Sequence, residues 1–232
     1  MSSFTFKQFH INQQRCAMKV GTDGILLGAW ADVSYCKNIL DMGSGTGLLA
    51  LMLAQRSPAD CRIYAVELDP AAAQQARENI AISPWKEQIH LIQTDVRDFL
   101  HCTSKTFDLI VANPPYFEQG VECKNEERTL ARYTKQSHLD WLNWGAKRLS
   151  EKGKISFVLP YEAAKTLKKL TALSCIKQVE IITKIGKSPQ RMLITFSRQS
   201  QKLVRDQIVI YNEKNSYTDE FIELTKDFYL KF

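Results

Sequence analysis

The stretch that decides the fold is Ile39-Leu40-Asp41-Met42-Gly43-Ser44-Gly45-Thr46-Gly47, which leads into the apolar residues 48–54. It predicts a buried strand, a glycine-rich turn and a helix, because glycine allows backbone conformations that are closed to other residues. The turn lacks the Gly-Lys-Ser/Thr of a Walker loop, and Leu48 stands where a dinucleotide-binding turn needs glycine or alanine. An acid before the turn, Asp41, repels pyrophosphate and suits a cationic, amino-acid-like ligand.

Polar side chains follow the next three predicted strands. Strand 62–66 is followed by Glu67, strand 89–93 by Thr94 and Asp95, and strand 107–112 by Asn113. The carboxyl ends of parallel strands meet at one edge of a sheet, so these side chains are expected beside the glycine turn. A carboxylate at Glu67 suits the two hydroxyls of a ribose, and one at Asp95 suits an adenine amino group. The alternative for Glu67 is a surface acid, and Asp98 is expected only to cap the turn that follows.

The fourth strand ends in Asn113-Pro114-Pro115-Tyr116. Proline cannot donate to a sheet ladder, so the two prolines stop the strand in a fixed turn. That turn brings together a side-chain amide, a backbone carbonyl, rigid rings and an aromatic face.

The alternation of strands and helices along the chain predicts an α/β fold. We expect a doubly wound, mostly parallel seven-stranded sheet with helices on both faces, whose last strand pair, 179–183 and 191–196, is antiparallel. A further strand is predicted at 208–211 and a terminal helix at 218–230. Near the N-terminus, a short extended ribbon precedes an apolar helix, for which Thr22 or Asp23 is the expected N-cap.

The domain prediction is a single unit over residues 1–232. Within it we expect an N-terminal segment, 1–35, that closes over substrate and cofactor. A core at 36–200 and a C-terminal strand and helix at 201–232 complete the division.

The composition is that of an ordinary globular protein, with 44% hydrophobic and 24% charged residues in 232. No stretch approaches the ~20 apolar residues of a membrane span, and the start of the chain lacks the pattern of a signal peptide, so a cytoplasmic location is expected. The six cysteines are scattered without metal-ligand spacing. They are therefore expected to be reduced, with no metal site. The sequence gives no sign of an obligate protein partner.

The positive charge is concentrated in the second half of the chain. Residues 1–120 carry 10 basic and 12 acidic side chains, whereas residues 121–232 carry 21 and 13. Between Lys165 and Arg205 ten basic residues face a single acid, Glu180. This distribution indicates either a surface that meets a polyanion or a solvated helix face, and charge alone does not decide between them.

The strand-end motifs carry a family resemblance. The glycine turn after Asp41, Glu67, Asp95 and Asn113-Pro114-Pro115-Tyr116 stand in the order found in class I S-adenosylmethionine-dependent methyltransferases that modify planar amino nitrogens, and the chain resembles that family. The resemblance implies that S-adenosyl-L-methionine is the cofactor. It also implies a set of cofactor-binding residues: Thr22, Asp41, Gly43, Gly45, Gly47, Glu67, Asp95, Val96 and Asn113.

The fourth motif fits the chemistry that the resemblance implies. An amine on an aromatic ring or in an amide is a poor nucleophile, because its lone pair is delocalised. Asn113 Oδ1 and the Pro114 carbonyl are suited to accept its two hydrogens and turn the lone pair toward the methyl group, while Tyr116 stacks on the planar group. Asn113, Pro114 and Tyr116 are therefore the predicted catalytic residues, and no general base is required.

The beginning of the chain narrows the resemblance. Phe6-Lys7-Gln8-Phe9 and Arg15-Cys16-Ala17-Met18-Lys19-Val20-Gly21-Thr22-Asp23-Gly24 are similar to bacterial enzymes that methylate N6 of the adenine beside the anticodon of a valine tRNA. An unpaired anticodon-loop base needs no extraction from a duplex. This resemblance implies tRNA as the partner and an RNA-contacting set: Pro115, Phe117, Arg128, Arg132, Lys187 and Arg191.

Two other classes of protein share part of the pattern. Other amino-methyltransferases, acting on rRNA or DNA adenine or on a protein glutamine, use the same four-residue turn. A glutamine methyltransferase usually carries a separate helical N-terminal domain, and about 38 residues precede the first core strand here. A non-catalytic RNA-binding module is disfavoured, because every expected cofactor and catalytic position is filled.

Overall fold

A computed structural model describes residues 3–115 and 137–232 of the chain. The strands are β1 Ser3–Thr5, β2 His10–Asn12, β3 Asn38–Met42, β4 Arg62–Glu67, β5 Ile89–Gln93, β6 Phe107–Ala112, β7 Leu149–Pro160, β8 Ser174–Lys184, β9 Arg191–Ser197 and β10 Val204–Tyr211. The helices are α1 Thr22–Trp30, α2 Leu48–Arg56, α3 Pro70–Ala81, α4 Val96–Cys102, α5 His138–Ala146, α6 Tyr161–Leu170 and α7 Asp219–Thr225.

The main sheet has the strand order β10-β8-β9-β7-β6-β3-β4-β5. Among its described strands β9 alone runs antiparallel to its neighbours, β7 and β8, so the predicted antiparallel last pair is confirmed. The chain order reverses between β3 and β6, which opens a crevice at their carboxyl ends. The α/β, doubly wound fold class is thus confirmed.

The predicted count of seven strands is wrong, because the described residues already give the main sheet eight. β10 is longer than the predicted 208–211 and pairs in parallel with β8 at the edge of the sheet. Its first four residues, 204–207, are exposed, so they lack the alternation of buried and exposed residues by which a strand is identified from sequence.

Alternate residues of each central strand pack into two different hydrophobic clusters, one on each face of the sheet. Ile39 of β3 and Leu109 of β6 join a cluster with α1, α2, α3 and α7. Their neighbours Leu40 and Ile110 join a second cluster with α4, α5 and α6. This period of two places helices on both faces and fixes which side chains reach the carboxyl edge.

The N-terminal ribbon is a small antiparallel hairpin of β1 and β2 that packs against the C-terminal end of the chain. The backbone N–H of Lys7 donates to the Phe228 carbonyl at 2.9 Å, and Lys7 Nζ donates to the Lys226 carbonyl at 2.6 Å. The ring of Phe4 lies edge-on to Tyr229, with centroids 6.1 Å apart. Both ends of the chain therefore share one seam.

The predicted cap of α1 is wrong. The helix begins at Thr22, and its N-cap is Gly21, whose extended backbone offers no side-chain cap. Thr22 and Asp23 consequently occupy the first turn, where the carboxylate of Asp23 faces the positive end of the helix dipole. The terminal helix is shorter than predicted, since it ends at Thr225.

The described cysteines are free thiols, and three of them are buried: Cys16, Cys36 and Cys61. Cys123 lies outside the described residues. The division of the chain into 1–35, 36–200 and 201–232 stays a prediction.

Candidate functional site

A cavity of about 860 Å³ opens at the carboxyl edge of the sheet. Its walls are formed by the segment that leads into α1, the glycine turn, the end of β6 and the β8–β9 turn. Six of the predicted site residues line it together: Thr22, Gly43, Gly45, Asn113, Lys187 and Arg191. The topology therefore gathers at one place residues that are far apart in the sequence.

The glycine turn has the backbone that the sequence predicts. Gly43, Gly45 and Gly47 have φ angles of 73°, 56° and 82°, which residues with a Cβ rarely adopt. The amides of Gly43 and Ser44 both donate to the Val66 carbonyl, at 2.9 and 3.0 Å. The turn is thus fastened to β4, directly beside Glu67.

Asp41 lies fully buried beneath the turn. Its Oδ2 accepts a hydrogen bond of 2.7 Å from Ser44 Oγ, while Oδ1 has no hydrogen-bond partner within residues 3–115 and 137–232. Burial, with a smaller contribution from the nearby Glu67 carboxylate, raises the pKa of Asp41 to about 7 against the opposing effect of the Ser44 hydrogen bond. An unpartnered acceptor of this kind fits an ammonium group placed at the glycine turn.

Glu67 closes β4, and its carboxylate already holds two backbone amides. Oε2 accepts from the Gly45 N–H and Oε1 from the Asp69 N–H, both at 2.8 Å. Burial raises its pKa, and these two hydrogen bonds act in the opposite direction. A carboxylate offers about four lone-pair directions, so each oxygen keeps capacity for a ribose hydroxyl.

Asp95 is the N-cap of α4 and is engaged within the protein. Its Oδ1 accepts from the Arg97 amide at 2.8 Å, and Oδ2 pairs with Arg97 Nη2 at 2.6 Å. Arg97 in turn lies over the Trp144 ring. Asp95 is therefore the cap of α4, a role that the sequence suggested only for Asp98, and adenine recognition by Asp95 and the buried Val96 stays a prediction.

The nitrogen and the oxygen of the Asn113 side-chain amide lie in different environments. Nδ2 donates to Met18 Sδ at 3.7 Å. Oδ1 is buried and accepts no hydrogen bond from any residue that the structure describes. An unpaired, desolvated amide oxygen in this cavity is available to an incoming N–H donor.

Pro114 is buried behind Asn113, and Pro115 is half-buried. The remaining predicted residues of this region lie outside the described residues, and their roles stay predictions: Tyr116, Phe117, Arg128 and Arg132.

The basic wall of the cavity differs from its prediction in one respect. Lys187 is exposed on the β8–β9 turn, as an RNA contact requires. Arg191, by contrast, pairs through Nε with Asp23 Oδ2 at 2.9 Å, so its charge is largely balanced inside the protein. Lys19 and Lys184 also line the cavity and were not predicted.

One positioning residue was missed altogether. Asn79 of α3 is fully buried, and its side chain bonds to the Asn12 amide at 2.9 Å, the Asn12 carbonyl at 2.8 Å and the Thr46 carbonyl at 2.9 Å. It thereby joins the N-terminal hairpin to the glycine turn. An asparagine within a predicted helix gives no sequence signal of such a role.

Within the described residues, no group of three or more His, Cys, Asp or Glu side chains is arranged to hold a metal ion. No helix in the same part of the chain has the length and apolar character needed to cross a bilayer.

Comparison with known proteins identifies relatives over the whole chain. Residues 20–184 match the family model described as the methyltransferase small domain. A protein from Haemophilus influenzae (strain PittEE) is 74% identical over 232 residues, covering all of both chains, and one from Pasteurella multocida is 61% identical over all of this chain and 98% of its own. Both bear the name tRNA1(Val) (adenine(37)-N6)-methyltransferase.

Solved structures agree on the fold. A predicted O-methyltransferase from Agrobacterium tumefaciens superposes with a TM-score of 0.69 at 17% identity, over 89% of this chain and 96% of its own. A type I restriction-modification methyltransferase subunit from Streptococcus thermophilus gives 0.62 at 17% identity, over 96% of this chain and 53% of its own. At such identities the likeness concerns the fold alone. The relatives found by sequence, at 74% and 61% identity, show the family as well. The chain belongs to the methyltransferase small domain family and, with its full-length relatives, to the family of tRNA1(Val) (adenine(37)-N6)-methyltransferases.

Proposed function

We propose that this protein transfers a methyl group from S-adenosyl-L-methionine to the exocyclic N6 of adenine 37, 3′ of the anticodon, in a valine tRNA. The observation that carries the proposal is Asn113, whose buried and unpartnered Oδ1 shares one cavity with the glycine turn. The full-length relatives that bear this activity in their names support the choice of substrate.

The residues around the glycine turn suit S-adenosyl-L-methionine, which supplies an electrophilic methyl group on a sulfonium when it is bound. Asp41 would hold the ammonium group, since its Oδ1 is the buried acceptor at that position. Glu67 would hold the ribose, and the positive φ angles of Gly43 and Gly45 give the turn that would surround the methionine part its shape. Asp95 and Val96 would face the adenine end.

The chain's own groups account for the activation of the amine. Asn113 Oδ1 and the Pro114 carbonyl accept the two N6 hydrogens, which draws the nitrogen out of conjugation and directs its lone pair into the cavity. The methylated nitrogen then loses a proton to water. Since positioning is the main contribution, removing the amide costs about 3 kcal/mol or more of activation free energy.

Tyr116 is the proposed stacking partner of the target base, for which aromatic stacking contributes about 1–3 kcal/mol. Lys187 is the proposed phosphate contact in the described region, with Pro115, Phe117, Arg128 and Arg132 completing the RNA surface. Because Arg191 is paired with Asp23, we propose it as a weaker contact than Lys187. A tRNA substrate also makes the cytoplasm the proposed location.

The direct test is methyl transfer to an unmodified valine tRNA transcript, followed by mass mapping of nucleosides. We expect one N6-methyladenosine at position 37 and no product with a transcript that carries guanosine there. Modification at another position, or methylation of a protein glutamine alone, would contradict the proposal.

A variant pair tests the site. Asn113→Ala should still bind S-adenosyl-L-methionine by calorimetry while kcat falls at least about 100-fold. Asn143→Ala, on the exposed face of α5, is the matched control and should retain full turnover. Full turnover by Asn113→Ala would remove this residue from catalysis.

A further inference from the structure

The segment that carried the N-terminal resemblance forms a closed loop above the site. Gln13 is buried, and its Oε1 accepts the Val20 amide at 2.7 Å, which closes residues 13–20 into a loop. Arg15 fastens the loop to α3 through Glu78 at 2.7 Å, and beyond the loop Asp23 is paired with Arg191. Its position over the glycine turn is therefore held at several points.

This loop delivers one side chain to the catalytic turn. Met18 lines the cavity, is 46% exposed, and places Sδ 3.7 Å from Asn113 Nδ2. A large apolar side chain with this exposure contributes little to the core. Its contact with Asn113 is thus the feature that needs a functional explanation.

The contact bears on which end of the amide meets the substrate. The two ends of an asparagine amide are almost equal in size but opposite in hydrogen bonding, since Oδ1 only accepts and Nδ2 only donates. A thioether sulfur is an acceptor without a proton to donate. It therefore favours Nδ2 at the Met18 side and leaves Oδ1 for an N–H donor, whereas the reversed amide would point two N–H bonds at the amine.

We propose that Met18 is a positioning residue, which holds the Asn113 amide with Oδ1 toward the methyl-accepting amine. The inference rests on the proposed function, because it concerns the same acceptor oxygen. It assigns a physical role to a position in the N-terminal segment that the cofactor and RNA assignments left without one.

Two substitutions at Met18 distinguish the effect of the hydrogen-bond acceptor from the effect of side-chain size, since both new side chains are similar in size to methionine. Met18→Leu removes the acceptor, and Met18→Gln replaces it with an amide oxygen at a comparable distance along the side chain. We expect kcat for tRNA methylation to fall about five-fold in Met18→Leu, the loss of one weak hydrogen bond, and to stay within about two-fold in Met18→Gln. Because the side chain is half in solvent, both variants should keep the melting temperature of the wild type.

The test is specific because the substitution should change kcat and leave the binding constants unchanged. The KM for tRNA and the affinity for S-adenosyl-L-methionine should be unchanged in both variants, because the amide orientation acts on the reacting amine. Unchanged or increased kcat in Met18→Leu would overturn the inference, as would equal losses in the two variants or a change confined to KM. Absence of methyl transfer by the wild-type protein would instead overturn the proposed function.

Discussion

Asn79→Ala is the substitution whose consequences the structure defines most closely. It removes the three hydrogen bonds that join Asn12 of the hairpin and Thr46 of the glycine turn to α3. Leaving the buried Thr46 carbonyl without a partner costs about 2 kcal/mol of stability, and the half-buried amide and carbonyl of Asn12 cost roughly 0.5–1 kcal/mol each. Alanine regains about 0.5 kcal/mol of helix propensity, so the free energy of unfolding should fall by about 3 kcal/mol.

The substitution should act on cofactor binding as well as on stability. At about 2–4 °C per kcal/mol for a chain of this size, the melting temperature should fall by roughly 6–12 °C. The affinity for S-adenosyl-L-methionine should drop about tenfold or more, because the glycine turn loses one of its anchors, the hydrogen bond at the Thr46 carbonyl. Urea unfolding followed by circular dichroism and titration calorimetry measure the two effects.

Asn143→Ala serves as the control for both measurements, since it makes the same change at an exposed helix position. Its unfolding free energy should stay within about 0.5 kcal/mol of the wild type. A loss below about 1 kcal/mol in Asn79→Ala, or a loss of stability with unchanged cofactor affinity, would refute the coupling of hairpin and turn.

Three further predictions concern the walls of the cavity. Gly43→Ala should weaken S-adenosyl-L-methionine binding and destabilise the fold by about 1–3 kcal/mol, because φ is 73° and the new Cβ meets Trp141 Cη2 at 3.0 Å. Gly21→Ala has no contact under 3.8 Å and should destabilise the fold less, since it changes only the N-cap of α1. The pKa of Asp41 is raised to about 7 by burial, so its stabilising contribution is present below its ordinary value of 3.8 and is lost as pH rises through 7. Asp41→Asn should flatten that part of the pH profile of unfolding, and an unaltered profile would contradict the raised pKa. Lys187→Gln should raise the KM for tRNA and lower its salt dependence by about one counterion, whereas Arg191→Gln should mainly cost about 1 kcal/mol of stability; equal effects on the salt dependence would show that Arg191 contacts RNA too.

The strand ends were predictable because the information is local. Buried runs stop at Glu67, before Asp95 and at Asn113, and the parallel alternation of strands and helices fixes the edge at which they meet. The glycine turn was equally predictable from the sequence, since three positive φ angles favour glycine at three positions. The confirmed fold class and cofactor follow from these patterns.

The missed features depend on partners that are distant in sequence. Arg191 and Asp23 are 168 residues apart, so an arginine predicted for RNA gave no sign of its internal partner. Asn79 resembles any polar helix residue until Asn12 and Thr46 are placed against it. The cap of α1 failed for a different reason, because the backbone of Gly21 performs the task without a side chain.

The seam between the two ends of the chain has a consequence for biosynthesis. The Lys7 ammonium and the Lys226 carbonyl are 219 residues apart in the sequence, and the Phe4 ring packs on Tyr229 near the last residue. The hairpin is translated well before the residues on which it rests, so it can dock only after residue 229 has been made. The loop that carries Met18 follows that hairpin directly, so docking of the hairpin restricts the freedom of the loop whose side chain contacts Asn113.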